Sequence, residues 1–353
     1  MEITNKISIF NKKRFWVGIL LAQFLLFYLF SKVPIIINFF SIFFEFQKYL
    51  HQKTFSVFPF SFGDLMYIVL FFVLIFLLLK IIKKENRKKY GLLILALLNA
   101  LYFVYQLFWG MLYFQTPLLA KLPKGEPTQQ ELEELAIKYL KECKKLRTQV
   151  KEDKNGVFKV QEISNIKKEI IEGSTQVSRF FLDKKITGIQ SIKPSLFGNT
   201  MNYTGISGYY NPFTTEAQYN AKLPSSITPF TISHEYAHQL GYAREQEANF
   251  IGYLISQQTK NPEIQYSCNF YVLKSLLRLL IKDNPELVKQ IVNNYSDGMK
   301  RDRLYEKRFF IQHEGILDQF FMYTNNLFLQ TNQQDGSISY SYFIDLLVRY
   351  KRL

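Results

Sequence analysis

The sequence predicts a multi-pass membrane protein in which three N-terminal apolar helices carry an α+β domain, mostly helical with a small sheet. Three observations predict it. Before Pro117, three stretches run almost free of charge for about 20 residues, the length that crosses a bilayer core. After Pro117 charge returns, and apolar residues recur at helical spacing. Between residues 185 and 220, KITGIQSIKPSLFGNTMNYTGISGYYNPFTTEAQYN reads instead as two or three strands with turns.

The membrane domain covers residues 1–117, with spans at about 15–37, 63–82 and 90–114. The first follows Lys6, Lys12, Lys13 and Arg14, as a signal peptide would, but SKVPIIINFF after it holds no small-x-small cleavage site and stays apolar. An uncleaved span is expected, with Lys32 at the interface. Lysines and arginines set its orientation. Four precede the first span, and KIIKKENRKKY joins the second to the third, so the positive-inside rule puts both on the cytoplasmic side. Three crossings then leave everything beyond about residue 115 extracytoplasmic.

The net charge of +15 is mostly this topological signal: residues 1–119 hold 13 Lys+Arg against 4 Asp+Glu, and residues 120–353 hold 31 against 25. The basic clusters flank spans and no aromatic-basic motif accompanies them, which argues for a lipid bilayer and against nucleic acid as the partner.

Residues 118–127, LLAKLPKGEP, form a linker in which Pro123, Gly125 and Pro127 break regular structure. Thr128 with Glu131 is a capping-box pattern, so a helix is expected from there to about Val150, burying Leu132, Leu135, Ala136, Tyr139, Leu140 and Cys143. A second amphipathic helix is expected over about residues 160–182, and helix again from Pro229 almost to the C-terminus. Cys143 and Cys268 are too few to frame so large a domain and are expected to be buried and free.

The chemistry concentrates in HEYAHQLGYAREQEANF, residues 234–250. Thr228 is the expected N-cap and Pro229 the first-turn residue of its helix. His234 and His238, at i and i+4, project from one face and can ligate one Zn2+ ion, while Glu235 beside the first is placed to serve as catalytic general base toward water. Gly241 ends the helix. A catalytic zinc needs a third protein ligand, and Glu245 and Glu247 are the candidates. Glu245 shares its face with Ala248, Asn249 and Gly252, small residues that let two helices approach, whereas Glu247 shares its face with Phe250, Ile251 and Leu254; Glu245 is favoured.

HEYAH with a downstream ExxxN resembles the gluzincin metallopeptidases. The resemblance implies His234, His238 and Glu245 as ligands, Glu235 as the base, and Asn249 behind a histidine where the family carries an aspartate. An amide there can accept the imidazole N–H but adds no negative charge. Arg244 stands where metzincins have a third histidine, which disfavours that relation. More widely, three spans followed by GISGYYNPFTTEAQYN and PFTISHEYAHQLGYAREQEANF resemble an uncharacterised family of bacterial membrane proteins with a zincin-like outer domain. That implies a zinc peptidase domain over residues 128–353 on the periplasmic face of the inner membrane, acting on a peptide or protein. A membrane receptor or transducer, and an envelope assembly protein with a structural zinc, are the other readings. GISGYYNPF is the expected edge strand for substrate backbone. Tyr209, Tyr210, Tyr242, Arg244 and His313 are the expected pool of oxyanion donors.

Overall fold

The computed structural model describes residues 9–331 and 339–353; Lys6, one of the N-terminal basic residues, lies outside them. The chain is mostly helical with one three-stranded sheet.

Among the described residues, three helices are long and apolar enough to cross a membrane, and they suggest a membrane protein: Lys13–Phe30, Phe62–Ile82 and Lys84–Phe108. The first, α1 (Lys13–Phe30), stops seven residues before the expected end. The cause is Pro34, which starts a new helix and holds Val33 in an extended conformation before it (φ −114°, ψ 102°). That helix, α2 (Pro34–Phe55), has no counterpart in the sequence analysis. It is amphipathic, burying Phe40, Phe44, Gln47, Lys48 and Gln52 on one face and exposing Ile35, Phe39, Ile42 and Phe46 on another. The second candidate span is α3 (Phe62–Ile82), and α4 (Arg87–Phe108) fills most of the third. Trp109 then breaks the helix (φ −146°, ψ −49°), so residues 110–114 form a separate 3-10 turn rather than the end of the span.

Beyond the linker, α5 (Gln129–Arg147) begins with the anticipated capping box: Thr128 and Glu131 satisfy each other's backbone N–H groups. The second helix, α6 (Ile163–Ser174), is shorter than expected: the chain turns at Thr175, and Gly173 in its last turn lies hard against Ile255, where an added Cβ would sit 3.0 Å from the carbonyl oxygen. Strands β1 (Ile192–Pro194), β2 (Gly208–Asn211) and β3 (Glu216–Tyr219) form a sheet in the order β1-β3-β2, with β1 parallel and β2 antiparallel to β3. A short helix, α7 (Gly198–Thr204), interrupts the region read from sequence as strands and turns alone.

The remaining elements are α8 (Thr228–Leu240), α9 (Glu245–Gln258), α10 (Pro262–Leu280), α11 (Pro285–Asn293), α12 (Asp297–Ile311), α13 (Ile316–Thr331) and α14 (Ser339–Lys351). The core lies where α5, α8, α9 and α14 gather on α10, whose Tyr266, Cys268, Phe270 and Leu273 are fully buried. Cys143 and Cys268 are both buried and free. Within this core Arg147 pairs with Asp302 at 2.6 Å, and the Tyr266 hydroxyl and Phe158 N–H also donate to that carboxylate. A buried charge is tolerable because every lone pair facing it is used.

Candidate metal centre

The helix α8 carries the motif. Thr228 is its first residue rather than its cap: Ile227 holds that place, and the Thr228 hydroxyl donates back to the Pro224 carbonyl at 3.2 Å. Pro229 occupies the first turn, where no intrahelical N–H bond is lost. Gly241 ends the helix in the left-handed region (φ 114°), and a Cβ there would meet the Phe44 ring at 2.8 Å. Both the backbone and the neighbour therefore require glycine.

Residues 242–244 reverse the chain and α9 returns along α8. Gly252 makes the approach possible: a Cβ on it would lie 3.1–3.2 Å from the backbone of Ser233 and His234. This brings Glu245, at the start of α9, to the two histidines. Its carboxylate oxygens lie 3.2 Å from His234 Nε2 and 3.5 Å from His238 Nε2.

The other ring nitrogens are committed. His234 Nδ1 lies 2.8 Å from Asn249 Oδ1, and His238 Nδ1 lies 2.7 Å from the Tyr242 carbonyl. Both partners accept, so both Nδ1 atoms carry a proton and donate, which leaves both Nε2 atoms turned to Glu245. Two imidazole Nε2 atoms and a carboxylate thus converge; a cation taking the place of any proton between them would receive two imidazole lone pairs and a carboxylate. That set suits a cation, and imidazole with carboxylate suits zinc, whose tetrahedral ligands at about 2.0–2.1 Å stand roughly 3.3 Å apart.

Glu235 is the second carboxylate here, its ligand atom within 4.8 Å of those of His234 and His238. Glu245, with oxygens at 3.2 and 3.5 Å from the two Nε2 atoms, is the better-placed candidate for a third ligand. Burial pushes the Glu235 carboxyl up to about 8, against the pull of His234, and its Oε2 is buried with no hydrogen-bond partner. Burial acts upward on Glu245 too, but His238 and then His234 outweigh it and hold that carboxyl far below its ordinary range. Gly208 of β2 packs directly on Glu235, with room for no side chain: a Cβ would lie 2.6 Å from Glu235 Oε1.

The strand β2 is one of the two edges of the sheet, as the sequence suggested for GISGYYNPF. On β3, Ala217 N–H and the Tyr219 carbonyl bond toward β1, while Asn220 N–H reaches the Ser207 carbonyl on the β2 side. That parity turns the backbone groups of Gly208 and Tyr210 to the open edge.

Glu247 lies elsewhere in the contact network. It accepts from Leu118 N–H at 2.8 Å and from Arg244 at 3.1 Å, tying the linker to α9, and burial raises its carboxyl pKa. The expected oxyanion donors are mostly occupied. Tyr209 donates to Asp64, Tyr242 to the Phe181 carbonyl at 2.8 Å, Arg244 to the Gln115 carbonyl at 2.8 Å, and His313 faces Phe309 and Tyr203 on another part of the domain.

Sequence reasoning missed one wall of the centre. The Trp109 ring lies 6.0 Å from that of His238 and 4.3 Å from that of Tyr210, and the Tyr113 hydroxyl is raised by burial and by nearby Glu245. Phe44, Trp109, Leu112 and Tyr113 pack together with Ala243. The available signal was the aromatic run WGMLYF at the end of an apolar stretch, which reads equally well as an interfacial belt.

A family described as "protein of unknown function (DUF3810)" matches residues 39–348, from α2 into α14. No curated protein and no solved structure matches the chain significantly.

Proposed function

The chain belongs to the DUF3810 family of proteins of unknown function, and from that premise we propose that it is a membrane-anchored zinc metallopeptidase of the gluzincin type. The observation that carries this reading is the convergence of His234 Nε2, His238 Nε2 and the Glu245 carboxylate at 3.2 and 3.5 Å, with both Nδ1 atoms held from behind. His234, His238 and Glu245 would hold the ion. Bound zinc would polarise a peptide carbonyl and bring the pKa of water toward neutrality. Glu235, ionised once a bound cation offsets the burial that pushes its carboxyl up, would take the proton from the attacking water and return it to the leaving amine; its unpartnered Oε2 is the atom for that role. The open edge of β2 takes the substrate backbone as an added strand, which sets the scissile bond beside Glu235. The basic flanks support a cytoplasmic N-terminus and an extracytoplasmic catalytic domain at the bacterial inner membrane.

Glu235→Gln tests the mechanism. The variant should keep its zinc and lose roughly 10²–10⁴-fold in hydrolysis of a peptide library. Undiminished turnover would sink the assignment.

One observation favours a second reading, a transducer. The buried Glu216 carboxylate of β3 accepts from Phe62 and Gly63 N–H at 3.1 and 2.6 Å, which links the sheet beside the centre to the first turn of α3. Zinc binding that alters accessibility of the cytoplasmic segment around Lys84–Asn86, without any hydrolysis, would favour it.

A further inference from the structure

We propose that the substrate is a membrane-tethered polypeptide, cut within about three to five residues of the point where it leaves the bilayer; the inference rests on the hydrolase reading above. Three independent contacts put the centre at the membrane boundary.

The helices α3 and α4 have 21 and 22 residues. At 1.5 Å per residue they extend about 32–33 Å, matching a hydrocarbon core of about 30 Å, so Phe62 and Phe108 lie at its edge. The residue after α4 is Trp109, whose ring contacts His238. On the other side, Asp64 in the first turn of α3 accepts from Tyr209, from Ser195 Oγ at 3.0 Å and from Leu196 N–H at 2.7 Å. The strand that lies on Glu235 is therefore held between the ends of two spans.

The helix α2 makes the third contact. It joins the end of α1 to the start of α3, which face the same side of the bilayer. Its buried face grips the domain: Lys48 donates to the carbonyls of Leu240 at 3.2 Å and Lys185 at 2.8 Å, Gln47 donates to Thr215 at 3.2 Å, and Phe44 supports Gly241. Its other face carries Ile35, Phe39, Ile42 and Phe46 at i, i+4, i+7 and i+11, each more than half exposed. An apolar stripe continuous with two spans is a surface for lipid, and such a helix lies in the headgroup region. The catalytic helix thus rests on a membrane-surface helix.

One aromatic ring separates His238 from the end of a span. An extended chain advances about 3.3 Å per residue, so only a few residues fit between a bilayer anchor and the scissile bond. Tethering also replaces bulk encounter with a high local concentration, which raises apparent affinity by about 10²–10⁴.

The test uses the full-length zinc-loaded protein in phosphatidylethanolamine–phosphatidylglycerol vesicles. A mixed-sequence peptide library is supplied free, dipalmitoylated through a 4-residue spacer, and dipalmitoylated through a 20-residue spacer, with the anchor at either terminus. The short-spacer library should be cut at least about 10²-fold faster than the free one, at bonds near the anchor. Equal cutting of free and short-spacer libraries, or preference for the long spacer, overturns the inference and leaves the hydrolase reading standing. No cutting of any form by zinc-loaded protein overturns both.

Discussion

Two glutamates two positions apart on α9 have opposite surroundings. Glu245 faces two imidazole nitrogens, and Glu247 holds Arg244 and the linker. Alanine at each position should therefore separate metal from stability. Glu245→Ala is expected to lose bound zinc while its apoprotein melts near the wild-type apoprotein. Glu247→Ala should keep zinc and lose about 3–5 kcal/mol, because the buried Arg244 guanidinium is left uncompensated. Zinc content and thermal unfolding of the two purified variants check this, and zinc lost only in Glu247→Ala would reverse the ligand assignment. The Asn249 contact shows why an amide suffices: its Oδ1 accepts the His234 Nδ1 proton, which fixes the tautomer without a carboxylate.

Among the elements, the α8–α9 pair builds the centre, and its spacing depends on one missing side chain. Gly252→Val would force atoms into the Ser233–His234 backbone. The expected cost is about 1–3 kcal/mol with a large loss of zinc affinity, read by thermal unfolding and competition with a chelator. An unchanged zinc affinity would mean that the helices separate without moving Glu245. The helix α5 offers a pH prediction. Hydrogen bonds from Arg352, and next from Thr128 N–H, hold the Glu131 carboxyl at about 2, below its ordinary 4.5. A lowered folded-state pKa contributes stability above about 4.5 that is lost as pH falls toward 2. Wild type should outlast Glu131→Gln in thermal melts at pH 7, and the gap should close through that window; a gap that persists at pH 2 would remove Glu131 as its source.

At the scale of the whole molecule, the sheet and the start of α3 are joined by buried charge. Lys193 lies 2.7 Å from Glu216 and also donates to the Phe55 carbonyl, while Glu216 caps α3. Glu216→Ala should cost about 3–5 kcal/mol in detergent or nanodisc melts, since Lys193 stays buried and two helix N–H groups lose their acceptor. A negligible change would mean that the domain does not dock on α3 in this way.

The parts legible in the sequence are those set by local chemistry. Apolar runs of span length, the Thr128–Glu131 capping box, the Gly241 stop and the i, i+4 histidines each follow from neighbours a few residues apart, and they hold whatever the chain does elsewhere. The small residues around Glu245 even anticipated how closely α9 approaches. By itself the sequence therefore determined the apolar segments, the start of α5, the motif helix and the clustering of His234, Glu235 and His238, while it missed α2 and α7. Only the tertiary structure decided that α2 underlies the motif helix, that Trp109 and Tyr113 wall the centre, that Gly208 rests on Glu235, and that Glu247 serves the linker. Those contacts join segments more than 100 residues apart, or turn on which face of a helix a neighbour covers, and no local periodicity encodes the partner that arrives across such a distance.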